Sequence, residues 1–399
     1  MSLILGLALR DLRRDRVHLI CNVAVIVGIV LPILVLFGVK NGVYDMLIGR
    51  LLANPATLQI DTSGNHSFTQ AHLDEVQGWP ETRFATLKTR SLFDFVNVRG
   101  ADGGAIQDAT LEPSGTGDPR LPQGATIGPD SVVISTRLAQ QAELDIGDGV
   151  LLITQAENRP RQLVIETTVT GIVPADQLGG RRLLADIETL DLVEAFYDGY
   201  ALPDHDIAEG RALDTRIPDF EGLRVYARTL EDLAPLQLRV EAAFGINTNA
   251  RTREVQSVLG LGRNLDLALL MTVIIATTGL AATLVFSFWA EIARKRKMVA
   301  ILALIGLTSR QVAVFPLIQA AMTAMIALLV SFLLLFVCSY VADALFMLPS
   351  ESDARLVSIS IQQAVLIAAA VLAFVVTSSA FAVWQALKTD PAIILREEA

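Results

Sequence analysis

Cysteine is nearly missing from the 399-residue chain: Cys21 and Cys338 are the only two, and both sit inside apolar runs. No disulfide framework can staple the polar middle of the chain, which must fold on a hydrophobic core alone. Nucleotide and hydrolase motifs are missing too. There is no GxxxxGK[ST] phosphate loop, no HExxH and no GxSxG, so the chain carries no ATP site, metalloprotease site or nucleophile elbow of those kinds. Histidine is scarce, with four in all. His66 and His72 stand six positions apart, and Asp204-His205-Asp206 with Glu209 forms a polar cluster; both groups read more simply as solvated than as metal ligands. A net charge of −10 excludes a broad nucleic-acid surface. No catalytic residue, cofactor site or metal site emerges, and the chain does not read as an enzyme by itself.

Charge is also lacking from four long stretches, roughly 17–39, 265–289, 312–341 and 359–387. Each is long enough to cross about 30 Å of hydrocarbon. Pro32 interrupts the first, which membrane helices tolerate. Arg10, Arg13, Arg14 and Arg16 before it would suit a signal peptide, but the run is longer than such a segment needs and no small-x-small site follows. It reads as an uncleaved anchor. Only Asp266 and Asp343 bring acidity to the spans, both at their ends. Pumps and ion channels place ionisable groups inside the bilayer, so a substrate path through the four helices is not expected.

Basic residues set the orientation. The head has its four arginines, and the loop at 290–311 holds Arg294, Lys295, Arg296, Lys297 and Arg310. The loop at 342–358 has only Arg355 against Asp343, Glu351 and Asp353. The head (1–16), the 290–311 loop and the tail (388–399) are therefore expected in the cytoplasm. The segment 40–264, where the acidity concentrates, is expected outside.

That segment reads as α+β. Thr57–Asp61, Phe84–Leu87, Phe93–Val98, Val150–Thr154, Leu163–Val173 and Ile246–Asn249 read as strands, as does the face of Leu223, Val225 and Ala227. Thr69 and Ser135 read as helix caps. Leu233, Leu236, Val240 and Phe244 form a helical stripe, with Thr229 and Asp232 at capping-box spacing and a kink expected at Pro235. The Gly/Pro-rich stretch 100–129 reads as a boundary or a mobile loop. Two strand–helix–strand units flanking a middle insert suggest two lobes, the second spanning about 115–215.

The segment from Arg294 to Gln311 stands apart. A basic cluster precedes Met298-Val299-Ala300-Ile301-Leu302-Ala303-Leu304-Ile305-Gly306-Leu307, a run that is apolar but too short to span. Gly306 suits a helix C-terminus, and Thr308 with Gln311 suits a capping box opening the third span. The short helix would bury itself in a partner protein, or in lipid with Lys and Arg holding phosphates.

One span, a large external domain and three further spans resemble the layout of FtsX-like ABC transporter permeases, including MacB-type macrolide exporters. Lys297 to Gln311 resembles their coupling segment "REIGLLRALGASRRQI", and Asp390-Pro391-Ala392-Ile393-Ile394-Leu395-Arg396 resembles their "DPAEALR" ending. Val133-Ile134-Ser135 through Leu144 and Gly147-Asp148 is similar to a stretch of their periplasmic core domain. Val299 to Leu302, Gly306 to Thr308 and Asn41-Gly42 are most similar to the lipoprotein-releasing (LolC/LolE-like) permeases. The chain departs from the family at Met298 and Ala303, where an acidic and a basic residue are usual.

The resemblance implies a multi-pass protein of the bacterial inner membrane: four transmembrane helices with a two-lobed α+β periplasmic domain between the first and second. It implies a separate ATPase dimer, which binds the ATP and Mg, pushing on Arg296, Lys297, Met298, Val299, Ala300, Ile301, Leu302, Ile305, Gly306 and Arg310. It further implies a second permease, as homodimer or heterodimer, and a periplasmic adaptor or lipoprotein carrier. The work would be lipoprotein release or efflux of a small molecule or peptide. A scaffold that regulates a periplasmic cell-wall hydrolase is the alternative.

Overall fold

The computed structural model describes residues 6, 10–12, 14–156, 159–294, 309–346 and 356–387. The chain divides into two compact units: residues 1–47 with 260–399, and residues 48–259.

The first long helix, α1, spans Arg16–Ala53 with Pro32 inside it. The apolar run accounts only for its first part. The helix continues because Ile48 and Leu51 keep helical spacing and join the core of the second unit.

The second unit opens with a short 3-10 turn at Pro55–Leu58, where the Asn54 side chain accepts from the Ala56 amide. Strand β1 (Gln59–Thr62) therefore starts two residues later than Thr57. Helix α2 (Gln70–Gln77) begins at the Thr69 cap, with His72 closing the capping box and Gly78 ending the helix. Strand β2 is Thr82–Lys88, β3 is Phe95–Gly100 and β4 is Gln107–Pro113. Then come β5 (Ser131–Ser135), α3 (Thr136–Ala142) capped by Ser135, β6 (Gly149–Thr154), β7 (Leu163–Val173), β8 (Arg182–Ala185) and α4 (Ile187–Tyr197). The unit finishes with β9 (Gly222–Ala227), α5 (Leu233–Phe244) and β10 (Thr248–Ala250).

These strands make two sheets. One is four-stranded and antiparallel, ordered β10-β1-β9-β2. Every residue of its central strand β9 is buried. Leu233, Leu236 and Val240 of α5 cover it, together with Leu73 and Val76 of α2. The other sheet is a closed barrel, β3-β4-β8-β5-β7-β6, sealed by β6 pairing with β3. Along β7, Leu163, Ile165, Thr167 and Val169 point inward while Val164, Glu166 and Thr168 point out, the period of two a barrel wall requires.

Three expectations change. The 100–129 stretch is neither boundary nor loop throughout: it contains β4, with Ala109 and Leu111 in the barrel core. The barrel takes β3 and β4, and so starts ahead of the insert expected at about 115. Pro235 does not kink α5. The helix begins at Leu233, so the proline sits in the first turn, where its missing N–H has no intrahelical partner to lose.

Helix α6 runs unbroken over Thr252–Arg294. Its 43 residues make about 65 Å of helix, roughly twice the hydrocarbon thickness. Val255, Val258 and Leu259 at its start lie in the four-stranded sheet's core. Helices α7 (Ser309–Phe346, with Pro316 inside) and α8 (Ile361–Leu387) complete the first unit. All four long helices are apolar and long enough to cross a membrane.

Candidate functional site

The expected coupling residues Arg296, Lys297, Met298, Val299, Ala300, Ile301, Leu302, Ile305 and Gly306 lie outside the described residues, as does the tail from Asp390 to Arg396. Their flanks are described. Helix α6 ends at Arg294 and α7 begins at Ser309, so Arg310 stands in the first turn of α7. The segment thus joins the ends of two long helices.

Those helices share a membrane core. Ile26, Val30 and Leu34 of α1 meet Leu280 and Leu284 of α6, and Ala320, Ala324 and Ala327 of α7 are fully buried against their neighbours. Small residues at such a face let helix backbones approach closely, which is how helices associate in lipid. Threonine hydroxyls at 272, 278, 283 and 323 bond back to the carbonyl four residues earlier, so they need no partner across the bundle.

Among the described residues, polar contacts join the helices toward their ends. Ser287 donates to Asn22 at 2.7 Å, and Gln319 to Asp11 at 2.9 Å. At the opposite end, which leads into the sheet-bearing unit, Lys40 pairs with Asp266 at 2.7 Å and Asn41 donates to Gln363 at 3.3 Å. Asp343 accepts from the Leu356 amide. Asp266 is therefore one half of an ion pair, which hydropathy alone did not reveal. An apolar cavity of about 400 Å³ lies among α1, α6 and α8, lined by residues including Ile33, Phe37, Val273 and Phe374.

The sheet-bearing unit holds a buried ionic cluster that fastens the barrel to the four-stranded sheet. Glu112 at the end of β4 accepts from Arg120 (2.6 Å), from Arg182 of β8 (2.7 Å) and from Arg224 of β9 (2.8 Å). Arg224 also bonds Asp61 of β1, and Asp118 takes Arg120 at 2.8 Å. Burial alone would raise the Glu112 carboxyl; Arg224, Arg120 and Arg182 outweigh it and hold the group down at about 2. Sequence reasoning missed this cluster. Its members come from five separate segments, two of them in the stretch read as a loop.

The histidines do local work. His72 accepts from the Thr69 amide at 3.2 Å, and His66 lies 3.0 Å from the Ser63 carbonyl oxygen. Asp204 and His205 sit in a 3-10 turn that ends at Asp206, whose backbone oxygen accepts from Arg161. Among the described residues, no three His, Cys, Asp or Glu side chains are grouped to hold a metal ion.

Residues 268–391 match a family model, that of the FtsX-like permease C-terminal region. The match takes in most of α6, the segment joining it to α7, both remaining helices and part of the tail; the sheet-bearing unit lies outside it. It supports an FtsX-like ABC permease. No curated protein matches the chain.

Proposed function

We propose that the chain is the membrane subunit of an ABC transporter and is driven by a separate cytoplasmic ATPase dimer, which binds the ATP and Mg. The family match over residues 268–391 carries this reading, because it includes the segment where an ATPase would push. A second observation supports the mode of action. Helices α1 and α6 are single helices that begin or end in the sheet core, through Leu51 and Val255. A stroke delivered at residues 296–310 then travels along α6 and reaches α1 through the core the two helices share.

In this reading the basic head and the 294–297 cluster face the cytoplasm. The sheet-bearing unit works in the periplasm of a bacterial inner membrane, beside a second permease. Cargo is handled there, as a lipoprotein or as a small molecule or peptide passed to an adaptor. The nearly uncharged spans agree with a cargo that need not cross the bundle.

The test is coupled hydrolysis in the reconstituted complex. Arg296→Glu with Lys297→Glu, or Leu302→Pro, should cut permease-stimulated ATP hydrolysis by tenfold or more, while the chain still inserts in the membrane. Unchanged stimulation in all of these variants would sink the coupling assignment.

A further inference from the structure

Three features meet at one level of the membrane unit. First, α1 and α6 are fastened there by four residues. Lys40 Nζ lies 2.7 Å from Asp266 Oδ1, and the same ammonium sits 5.6 Å from the centroid of the Tyr44 ring. That ring lies so close to Gly262 that a Cβ at residue 262 would overlap its Cε2. Lys40 and Tyr44 are four apart on α1, and Gly262 and Asp266 are four apart on α6, so each pair shares one helix face. A side chain at 262 would have to push the partly exposed Tyr44 ring aside, and in a helix interior glycine costs about 1 kcal/mol relative to alanine.

Second, α1 is tied at the same level to the start of α8. The Ser358 amide donates to the Gly38 carbonyl at 3.0 Å, and Asn41 reaches Gln363. A Cβ on Gly38 would lie 2.5 Å from Val357 Cγ1. Third, directly next to these ties the same three helices part around the apolar cavity of about 400 Å³, with Gln363 in its wall. The pocket is open on one side, where its lining residue Leu366 is exposed. Close-packed helices can shift only by repacking, whereas helices that flank an open apolar groove can shift into it.

We propose that Lys40, Tyr44, Gly262 and Asp266 form a clasp that stays shut throughout the transport cycle. Helices α1 and α6 move as one body, and the apolar pocket takes up the motion of α8 against them. These are positioning residues, and the proposal rests on the reading above that motion travels along α1 and α6.

The test uses the full chain in nanodiscs, on a Cys21→Ser, Cys338→Ser background. A Tyr44→Cys, Gly262→Cys pair should oxidise nearly completely. Adding Lys40→Glu should lower that yield several-fold, and Lys40→Glu with Asp266→Lys should restore it. This arm needs no ATPase, so it tests the clasp even if the transporter reading fails. A yield indifferent to Lys40→Glu overturns the clasp. With the ATPase assembled, the oxidised pair should hydrolyse ATP within twofold of its reduced form. An Ile33→Cys, Ala370→Cys pair, which joins α1 to α8 across the pocket, bridged by a short bis-maleimide, should lose hydrolysis at least tenfold. If the rim disulfide stalls hydrolysis instead, and reductant restores it, the clasp opens during the cycle and the proposal is wrong. If the cavity bridge leaves hydrolysis unchanged, the cavity has no part in the motion.

Discussion

Glu112→Gln tests the electrostatics of the sheet-bearing unit directly. The wild-type carboxylate is 8% exposed and accepts from three guanidinium groups. Arg120 keeps Asp118 and Arg224 keeps Asp61, but the amide removes the carboxylate that all three guanidinium groups share and leaves the half-exposed Arg182 without its partner. Breaking a buried pair in this way costs about 3–5 kcal/mol. The titration leads to the same size. A carboxyl lowered from 4.5 to about 2 contributes about 3 kcal/mol at neutral pH, at 1.36 kcal/mol per tenfold. Because the folded value is depressed, this contribution is complete above pH 4.5 and fades as pH falls toward 2. The assay is amide exchange across β4 and β9 in the full chain in nanodiscs. At pH 7 the variant should exchange on the order of 100-fold faster there, the equivalent of about 3 kcal/mol. In thermal unfolding, the variant should melt roughly 6–12 °C lower, the shift expected for a unit of about 200 residues. That gap should narrow between pH 4.5 and pH 2, as the wild type loses its charge. Exchange within threefold of wild type at pH 7 would refute the reasoning.

Two further substitutions probe the same unit. Asp94 lies just ahead of β3, and burial raises its carboxyl to about 7, against a hydrogen bond from Thr89 that lowers it. A raised acid binds its proton more tightly when folded, so stability should fall as pH rises from about 4 to 7; Asp94→Asn should remove that slope, gaining on the order of 2–4 kcal/mol at pH 8, as read by thermal melts across pH. Leu111→Ala, at a fully buried barrel position, should cost about 2–5 kcal/mol in denaturant titration, whereas a mobile loop at 100–129 would tolerate it.

The membrane helices were legible because hydrocarbon demands an uncharged run of about 20 residues, and a water-facing helix of that length would carry charge on one face. Their true lengths were not. Residues 40–53 and 252–264 are polar enough to fall outside a hydropathy window, yet Ile48, Leu51, Val255 and Val258 hold the helical period and fill a core. Strands with clean alternation, such as Leu163–Val173, could be read residue by residue. Strand β4 could not, because only Ala109 and Leu111 mark its inner face before Glu112, and glycines and Pro113 flank it. The ion pairs Lys40–Asp266 and Arg224–Glu112 join positions more than a hundred residues apart. Composition shows their charges, but only the fold brings them together.

The most direct test of the transporter reading is a photo-crosslinking amino acid placed at Leu302 in the full chain in native membranes, with the adduct identified by mass spectrometry. An adduct with an ABC ATPase subunit is the predicted result. Adducts with lipid alone, or with a protein that is no ATPase, would contradict it.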